Sequence, residues 1–550
     1  MTKRNSTRIP ILSLNVIACF FLPGVSAEES SQTSPPNVLF IAVDDLNDWV
    51  SPLEGHPQTI TPNFDRLADQ GTRFMNAHTP APLCGPARAA IFTGRYPSNT
   101  GIYLHINDDN IKQASAAANA STLLTHYFVE HGYKTMGAGK LLHQGAGADL
   151  LEDYGGHKSF GPYPPQRLNY TPPVGGTSTD WGPYPAIDGQ MPDYEVAKYA
   201  IGKLRETHDK PFFLGVGFNR PHVPWHVPQK WFDLIDVESV ILPPYLVDDL
   251  MDAPEISRTI HEMPPTPTTE WLIEQGSWKD VVQAYLACVA FVDHQLGRVL
   301  DALEESQYAD NTIVVLWSDH GYHLGEKNIV AKMTLYEEST HVPLIFAGPG
   351  TTAGGVCDRP VGLIDLYPTL LDLAGLPGDG DLDGRSLVPL LENPEVDWPY
   401  PALTFWGQNN TAVRTEQYRY IRYEDGSEEL YDHFEDPNEW TNLAGNPATR
   451  GIRNVLAAHI PQPQVLLSNK SSFTWNEYWQ AKTNGKRQAF DAELTWSNWT
   501  RSSEELVDTG GFFGYLHLNG DFVYVYAWNL WMYLKEDFIG DEGGWGYIYR

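Results

Sequence analysis

Positive charge is what this chain has least of. Lys and Arg total 37 against 69 Asp and Glu, a formal net charge of −32 over 550 residues. So acidic a surface repels phosphate backbones, which excludes general nucleic-acid binding. An anionic substrate would then need a pocket that is positive against the field of the whole. Cysteine is scarce too: four residues cannot staple a protein of this length, which excludes a disulfide scaffold. Long apolar runs are also missing, and the one near the N-terminus, Ile9 to Leu22, is too short and interrupted for a transmembrane anchor. Core-forming residues are plentiful. Hydrophobic residues make up 42% and aromatics 12%, which rules out global disorder. At about 150 residues per domain, the length predicts three or four domains.

Residues 1–27 have the layout of an export signal. Lys3, Arg4 and Arg8 precede the apolar stretch, Pro23-Gly24 breaks it, and Val25-Ser26-Ala27 offers a small-residue cleavage site before Glu28. Val16-Ile17-Ala18-Cys19 also resembles a lipoprotein cleavage box, which would leave a lipid anchor on Cys19. Phe20-Phe21-Leu22 carry the apolar run past that cysteine and favour the later cut, hence a secreted or periplasmic protein. A polar linker, residues 28–36, follows.

From there short apolar runs alternate with helical stretches. Val38–Val43, Tyr133–Ala138, Phe212–Phe218, Ile313–Trp317 and Val342–Phe346 read as strands buried on both faces, as parallel strands are. Thr122–His131, Tyr194–Arg205 and Val281–Leu303 read as helices; in the last, Ala284, Cys288, Phe291, Val292 and Leu296 recur at helical spacing. The alternation predicts an open α/β sheet.

Chemistry follows the strands. Val43 leads into Asp44-Asp45, Ala138 into Gly139-Lys140 and then His143, Phe218 into Asn219-Arg220-Pro221-His222, and Trp317 into Ser318-Asp319-His320-Gly321. Ligands of open α/β sheets sit beyond the carboxyl ends of the strands, so these residues should meet at one edge. An isolated Asp-Asp pair more often caps a turn, and an isolated His or Lys is more often a solvated surface residue. Convergence of four such tails reverses that expectation. Asp44, Asp45 and Asp319 offer hard oxygen ligands suited to Ca²⁺ or Mg²⁺, with His320 a less usual partner.

A nucleophile stands in Leu83-Cys84-Gly85-Pro86-Ala87-Arg88, where Pro86 suits a first helical turn and Gly94 marks the end. Cys84 would sit at the positive helix start, which lowers a thiol pKa, with Arg88 one turn on. Cys288 reads as a buried hydrophobe, and Cys357 has no chemical neighbours.

Cys84-Gly85-Pro86-Ala87-Arg88 resembles the C-x-P-x-R signature of the formylglycine-dependent type I sulfatases, whose cysteine a maturation enzyme oxidises. Thr93-Gly94-Arg95 extends the match, and the strand-end motifs fall in the family's order. Leu324-Gly325-Glu326, Lys332 and Thr340-His341-Val342-Pro343-Leu344 are most similar to the iduronate-2-sulfatase-like branch. Ala87 stands where many relatives carry serine, and Arg220 where some carry lysine, a difference that bears on substrate choice. The resemblance covers about Asn37 to Leu443.

It implies an alkaline-phosphatase-like fold: a mixed, mostly parallel sheet flanked by helices over residues 37–375, then a smaller α+β subdomain over 376–460. It also implies a site. Asp44, Asp45, Asp319, His320 and the modified Cys84 would hold Ca²⁺, with Mg²⁺ second, and the hydrated aldehyde of residue 84 would attack sulfur. Arg88 would stabilise that nucleophile, while Lys140, His222 and Lys332, with Arg220 beside them, bind the sulfate. His143 would be the base that releases sulfate, and His222 or Lys332 would protonate the leaving alcohol.

The implied substrate is a sulfated carbohydrate, within polysaccharide breakdown. A phosphonate or phosphate monoester hydrolase of the same superfamily is the enzymatic rival, and a non-catalytic carbohydrate-binding protein on the same scaffold is the other class. The Pro/Gly-rich stretch Gly155–Pro192, with His105, Trp225 and His226, supplies rim residues or a packed loop. Residues 461–550 lie outside the resemblance and alternate aromatic patches with Gly/Asp turns, as a docking or structural β-module would.

Overall fold

A computed structural model describes residues 35–472 except 145–148, 157–159, 174–176 and 264, and beyond 472 only strand segments between 500 and 549. The expected signal, with Cys19, and most of the linker lie outside the described residues.

The strands are β1 (Asn37–Val43), β2 (Gly71–Phe74), β3 (Ala77–His78), β4 (Lys134–Gly139), β5 (Asp153–Tyr154), β6 (Phe212–Phe218), β7 (Thr312–Ser318), β8 (Leu344–Ala347), β9 (Gly355–Cys357) and β10 (Val361–Gly362). Eight of them form one sheet in the order β5-β4-β6-β1-β7-β8-β2-β9, while β3 and β10 pair apart. Strand β1 shows why the runs are continuously apolar. Leu39, Ile41 and Val43 enter one core while Val38, Phe40 and Ala42 enter the other, so the period of two serves two buried faces.

Register aligns the chemistry. Val43 lies opposite Phe218 on one side and Ser318 on the other, and Gly139 opposite Gly217. The carboxyl ends of β4, β6, β1 and β7 therefore share one edge, as the strand-end motifs require.

One expected feature changes. β8 runs antiparallel to both β7 and β2, so the run Val342–Phe346 is not a parallel strand. Its composition follows from burial rather than direction. Leu344 and Phe346 fill one core and Ile345 and Ala347 the other, which leaves no polar side to betray the reversal.

The helix Trp278–Glu304 covers one face and buries Val281, Ala284, Cys288, Phe291, Val292 and Leu296. Each such large apolar side chain contributes roughly 1.5–3 kcal/mol. Leu124–Glu130 and Pro192–Arg205 occupy the other two expected helical stretches.

After the main sheet, β11 (Ala402–Phe405), β12 (Thr411–Arg414), β13 (Tyr418–Arg422) and β14 (Glu428–Asp432) make an antiparallel sheet backed by the helix Arg450–Ala457. It docks just before the nucleophile helix: Phe405 N donates to Pro80 O at 3.0 Å and Thr404 Oγ1 to Thr79 O at 2.6 Å. The segment 465–472 then lies along the loop after that helix, with Ser468 N on Gly101 O at 2.9 Å and Ser472 N on His105 O at 2.7 Å. Farther on, Tyr515–Asn519, Phe522–Val525, Leu530–Tyr533 and Tyr547–Tyr549 pair antiparallel, the β-character expected of the aromatic tail.

Candidate active site

The helix Cys84–Thr93 begins at the expected nucleophile and ends at Gly94, whose φ of 65° is the left-handed closure that glycine adopts without cost. Leu83, extended, precedes it. The carboxylates reach the helix start by a local device. Successive strand residues point to opposite faces, but Asp45 turns to φ 62°, and both Asp44 and Asp45 end up buried in the same site. A non-glycine residue there costs about 1 kcal/mol or more. Tyr285, from the long helix, fixes the turn by donating to Asp45 O at 2.9 Å while accepting from Asn47 N at 3.0 Å.

Around Cys84 the sulfur meets Lys332 Nζ at 3.1 Å and His320 Nε2 at 3.2 Å. Lys332 Nζ also lies 2.6 Å from Asp45 Oδ1, and Lys140 Nζ 2.6 Å from Asp44 Oδ2. Arg88 Nε donates to Asp319 Oδ2 at 2.7 Å and Nη2 to Asp44 Oδ1 at 3.3 Å, while Nη1 donates to Lys140 O and Leu141 O. Arg88, Lys140, Asp44, Asp45, Asp319 and His320 are all fully buried. Three cations thus answer three carboxylates, so the cluster is locally balanced within a strongly acidic protein.

The electrostatics single out residue 84. Burial pushes its thiol up, but Lys140, Lys332 and His320 outweigh burial and hold it well below the ordinary range. At Cys288 burial acts almost alone and raises the thiol to about 12; at Cys357 it reaches about 11. Burial disfavours the His320 imidazolium, yet Asp319 and the neighbouring anions raise that ring to about 9. Burial and then Asp44 set Lys140, with the net effect upward.

Asp44, Asp45, Cys84 and His320 each offer a ligand atom within 4.8 Å of the others. Asp45 Oδ2 is buried and has no hydrogen-bond partner among the described residues, and His320 Nδ1 faces Gly321 O at 3.0 Å, which leaves Nε2 for the cluster. Two carboxylates and an imidazole fit a divalent cation, with Cys84 offering the fourth ligand atom. Asp319 stands at the margin of this group: Oδ1 accepts from the amides of Asp45 and His320, both at 3.2 Å, and Oδ2 from Arg88.

His143 and His222 flank the cluster, each against another ring. His143 stacks on His105 with centroids 3.9 Å apart and planes 15° apart. His222 stacks on Phe160 at 4.2 Å and 23°, and its Nε2 is 3.8 Å from Asp45 Oδ2. Phe160 also lies under Lys140 Nζ, 5.0 Å from the ring centre. It was hidden within the Gly155–Pro192 stretch, where composition gave only a loop. Gly85 is the counterpart of His105, since a Cβ there would meet His105 Nδ1 at 2.6 Å.

Three expected residues take other places. Arg220 is buried, and its guanidinium donates to Phe160 O at 2.7 Å, His226 O at 3.1 Å and His222 O at 3.3 Å. It braces the His222 loop, with one N–H of each guanidinium nitrogen spent on a backbone carbonyl. Trp225 and His226 are core, not rim: Trp225 is fully buried, and His226 Nε2 lies 3.5 Å from Asp180 Oδ2. An arginine or aromatic next to a strand-end motif is equally suited to bracing the loop that carries the motif.

Comparison with known proteins agrees with this arrangement. The family model described as Sulfatase matches residues 36–376, and one described as N-sulphoglucosamine sulphohydrolase, C-terminal, matches 325–465. A Sulfatase of Formosa agariphila is 46% identical over 473 residues, covering 84% of this chain and 93% of that one. Iduronate 2-sulfatase of Homo sapiens is 32% identical over 413 residues, 64% of this chain and 71% of its own. Among solved structures, phosphonate monoester hydrolase of Agrobacterium radiobacter superposes with a TM-score of 0.64 at 23% identity. That match covers 77% of this chain and 94% of the other, and is a likeness of fold.

Proposed function

The chain belongs to the sulfatase family of sulfuric ester hydrolases, and from that premise we propose an exported, calcium-dependent enzyme that hydrolyses a sulfate monoester on a carbohydrate. The observation that carries the reading is the environment of Cys84, whose sulfur touches Lys332 and His320 at 3.1 and 3.2 Å within a buried carboxylate cluster. The sugar is inferred from iduronate 2-sulfatase, whose name puts its sulfate on one.

Cys84, oxidised to formylglycine by a maturation enzyme, provides the nucleophile from its hydrated aldehyde. Calcium held by Asp44, Asp45, Asp319, His320 and residue 84 would supply the Lewis acidity that polarises it. Arg88, fixed between Asp44 and Asp319, keeps those carboxylates in place and adds positive charge beside the nucleophile. Lys140, Lys332 and His222 face the nonbridging oxygens and neutralise charge as it shifts toward the leaving alcohol. His222 or Lys332 gives that alcohol its proton. His143 then takes the proton of the remaining hydroxyl so that sulfate departs and the aldehyde re-forms.

Peptide mass spectrometry of the Cys84 segment, after co-expression with a maturation enzyme, tests the first step; the expected product is the aldehyde. Assays on aryl sulfates, phosphonates and phosphates test the second. Turnover confined to phosphorus esters would replace this reading with the phosphonate-hydrolase one, and an unmodified cysteine without turnover would leave a binding protein.

A further inference from the structure

A cavity of about 580 Å³ lies beside the site and takes no part in the chemistry above. Tyr170, Arg258, Trp271, Thr268, Asn328 and Val330 are among its walls. The half-buried Trp271 stands edge-on to Tyr170, ring centres 5.3 Å apart at 79°, which pins the indole as a platform. Exposed Arg258 lines the same cavity, and among the described residues its guanidinium has no hydrogen bond or ion pair. The other cation in the lining, Lys327, is already taken by Asp249 at 3.1 Å and by Glu439 O at 2.6 Å. Glu262 is exposed there too, so an anion would settle at the Arg258 end.

In a protein of net charge −32, an unpaired guanidinium in the same cavity as an aromatic platform complements a ligand that is both ring-shaped and anionic. The cavity also lies close to the catalytic machinery along the chain. Val330 of its wall is two residues from Lys332, a span of at most about 7 Å. Met263 and Ile329, also in its lining, pack in one cluster with Leu83, the residue before Cys84. That cluster links the cavity wall to the start of the nucleophile helix.

We propose that this cavity is a subsite for a neighbouring unit of an anionic oligosaccharide, gripped by Trp271 and Arg258 while the scissile sulfate sits at Cys84. The proposal rests on the sulfatase reading, and its test separates the two. Wild type, Trp271→Ala, Arg258→Ala and Arg258→Lys are assayed on a small aryl sulfate and on oligosaccharides from sulfated uronic-acid and galactose polymers.

The expected result on the best oligosaccharide is a rise in KM of about tenfold or more for each alanine variant. Arg258→Lys should recover part of it, and kcat/KM on the aryl sulfate should stay within about twofold of wild type, the range of a neutral surface change. Equal losses on both substrates, no loss on either, or a wild type that cleaves the aryl sulfate but none of the oligosaccharides would each overturn the subsite and leave the sulfatase standing. A correctly oxidised wild type inert toward the aryl sulfate and toward every oligosaccharide would remove the sulfatase reading and the subsite with it.

Discussion

Around Cys84, the carboxylates of Asp44, Asp45 and Asp319 face Arg88, Lys140 and Lys332; around Glu337, the carboxylates of Glu337 and Glu439 face Arg414 and Arg419. Both knots are largely buried, and both bring acids and a histidine within 4.8 Å as a metal site would. They differ in what is left over. In the second, Glu337 Oε2 accepts from Arg414 Nε at 3.1 Å and from Arg419, and Oε1 from Arg414 Nη2 at 3.4 Å. Glu439 Oε2 accepts from the Glu337 amide at 3.1 Å, and its Oε1 lies 2.6 Å from Arg419 Nε.

His433 is spent as well. Its Nδ1 accepts from Arg414 at 3.0 Å, so Nε2 carries the proton that it gives to Glu439 Oε1 at 3.0 Å. Guanidiniums, a backbone amide and His433 between them occupy all four carboxylate oxygens, which makes this knot a brace between Glu337 and the C-terminal sheet. At Cys84, Asp45 Oδ2 remains without a hydrogen-bond partner among the described residues. Charge balance does not tell a site from a brace; an unspent buried acceptor does.

The largest break in the comparison comes from the nucleophile. Cys84→Ala should lose roughly 10⁴- to 10⁶-fold in kcat, the scale of removing an enzyme's nucleophile. Its thermal melting should stay near wild type. Cys288→Ala should do the reverse, keeping turnover and losing about 1 kcal/mol of stability by shrinking a packed core side chain. Full turnover by Cys84→Ala would end the mechanism. Calcium sharpens the same contrast: added ion should raise the melting temperature of wild type and of Glu337→Gln but not of Asp45→Asn. At a hundredfold excess over Kd the gain is about 2.7 kcal/mol. A response retained by Asp45→Asn would move the metal elsewhere.

What the sequence made legible follows from the same physics. Doubly buried strands announce themselves because both faces must be apolar, and the residues after β1, β4, β6 and β7 fall at one edge because register carries them there. The direction of β8 was hidden by that same burial. The Glu337 brace was illegible because its partners are tens of residues apart, Arg419 being 82 positions on. Phe160 and Tyr285 were missed for a related reason. An aromatic that supports a catalytic group is composed no differently from one that fills a core.

Glu337→Gln tests the brace. Burial raises the Glu337 carboxyl, but Arg414 and Arg419 hold it well below its ordinary range, so removing its charge strands two buried guanidiniums. The expected loss is about 3–5 kcal/mol in urea unfolding, the cost of breaking a buried pair, with kcat on aryl sulfate little changed in the folded fraction. A loss below about 1 kcal/mol, the level of an exposed pair, would show that the knot contributes little. At the catalytic edge a smaller effect is expected from the stacked rings. Among the described residues His143 Nδ1 has no hydrogen-bond partner, so the His105 stack helps to orient that ring, whereas His222 Nδ1 also meets Val223 O at 2.6 Å. His105→Ala should therefore lower kcat by about tenfold, near the energy of an aromatic pair. His105→Phe, which keeps a flat ring, should restore most of it, and equal losses from both would remove the stacking account.

The last expected effect is a slope with pH, on the brace's side of the molecule. Burial, then His323, lowers His261 to about 3, and burial, then Lys327, lowers His323 to about 3. Unfolded, each returns to about 6.5. Between those values the unfolded chain binds a proton that the folded chain refuses, so stability rises with pH and drains away as pH falls from 6.5 toward 3. Below about 3 both states are protonated, and these groups add no further loss. Each histidine is worth about 1.4 kcal/mol per pH unit inside the window. His323→Gln keeps an amide within reach of Thr334 Oγ1, which His323 Nε2 meets at 2.8 Å, but cannot titrate. Urea midpoints taken between pH 4 and 6 should therefore be flatter for His323→Gln by about one proton's slope. Parallel curves would mean that His323 is protonated in the folded protein, and that the anions of the neighbouring brace outweigh its burial.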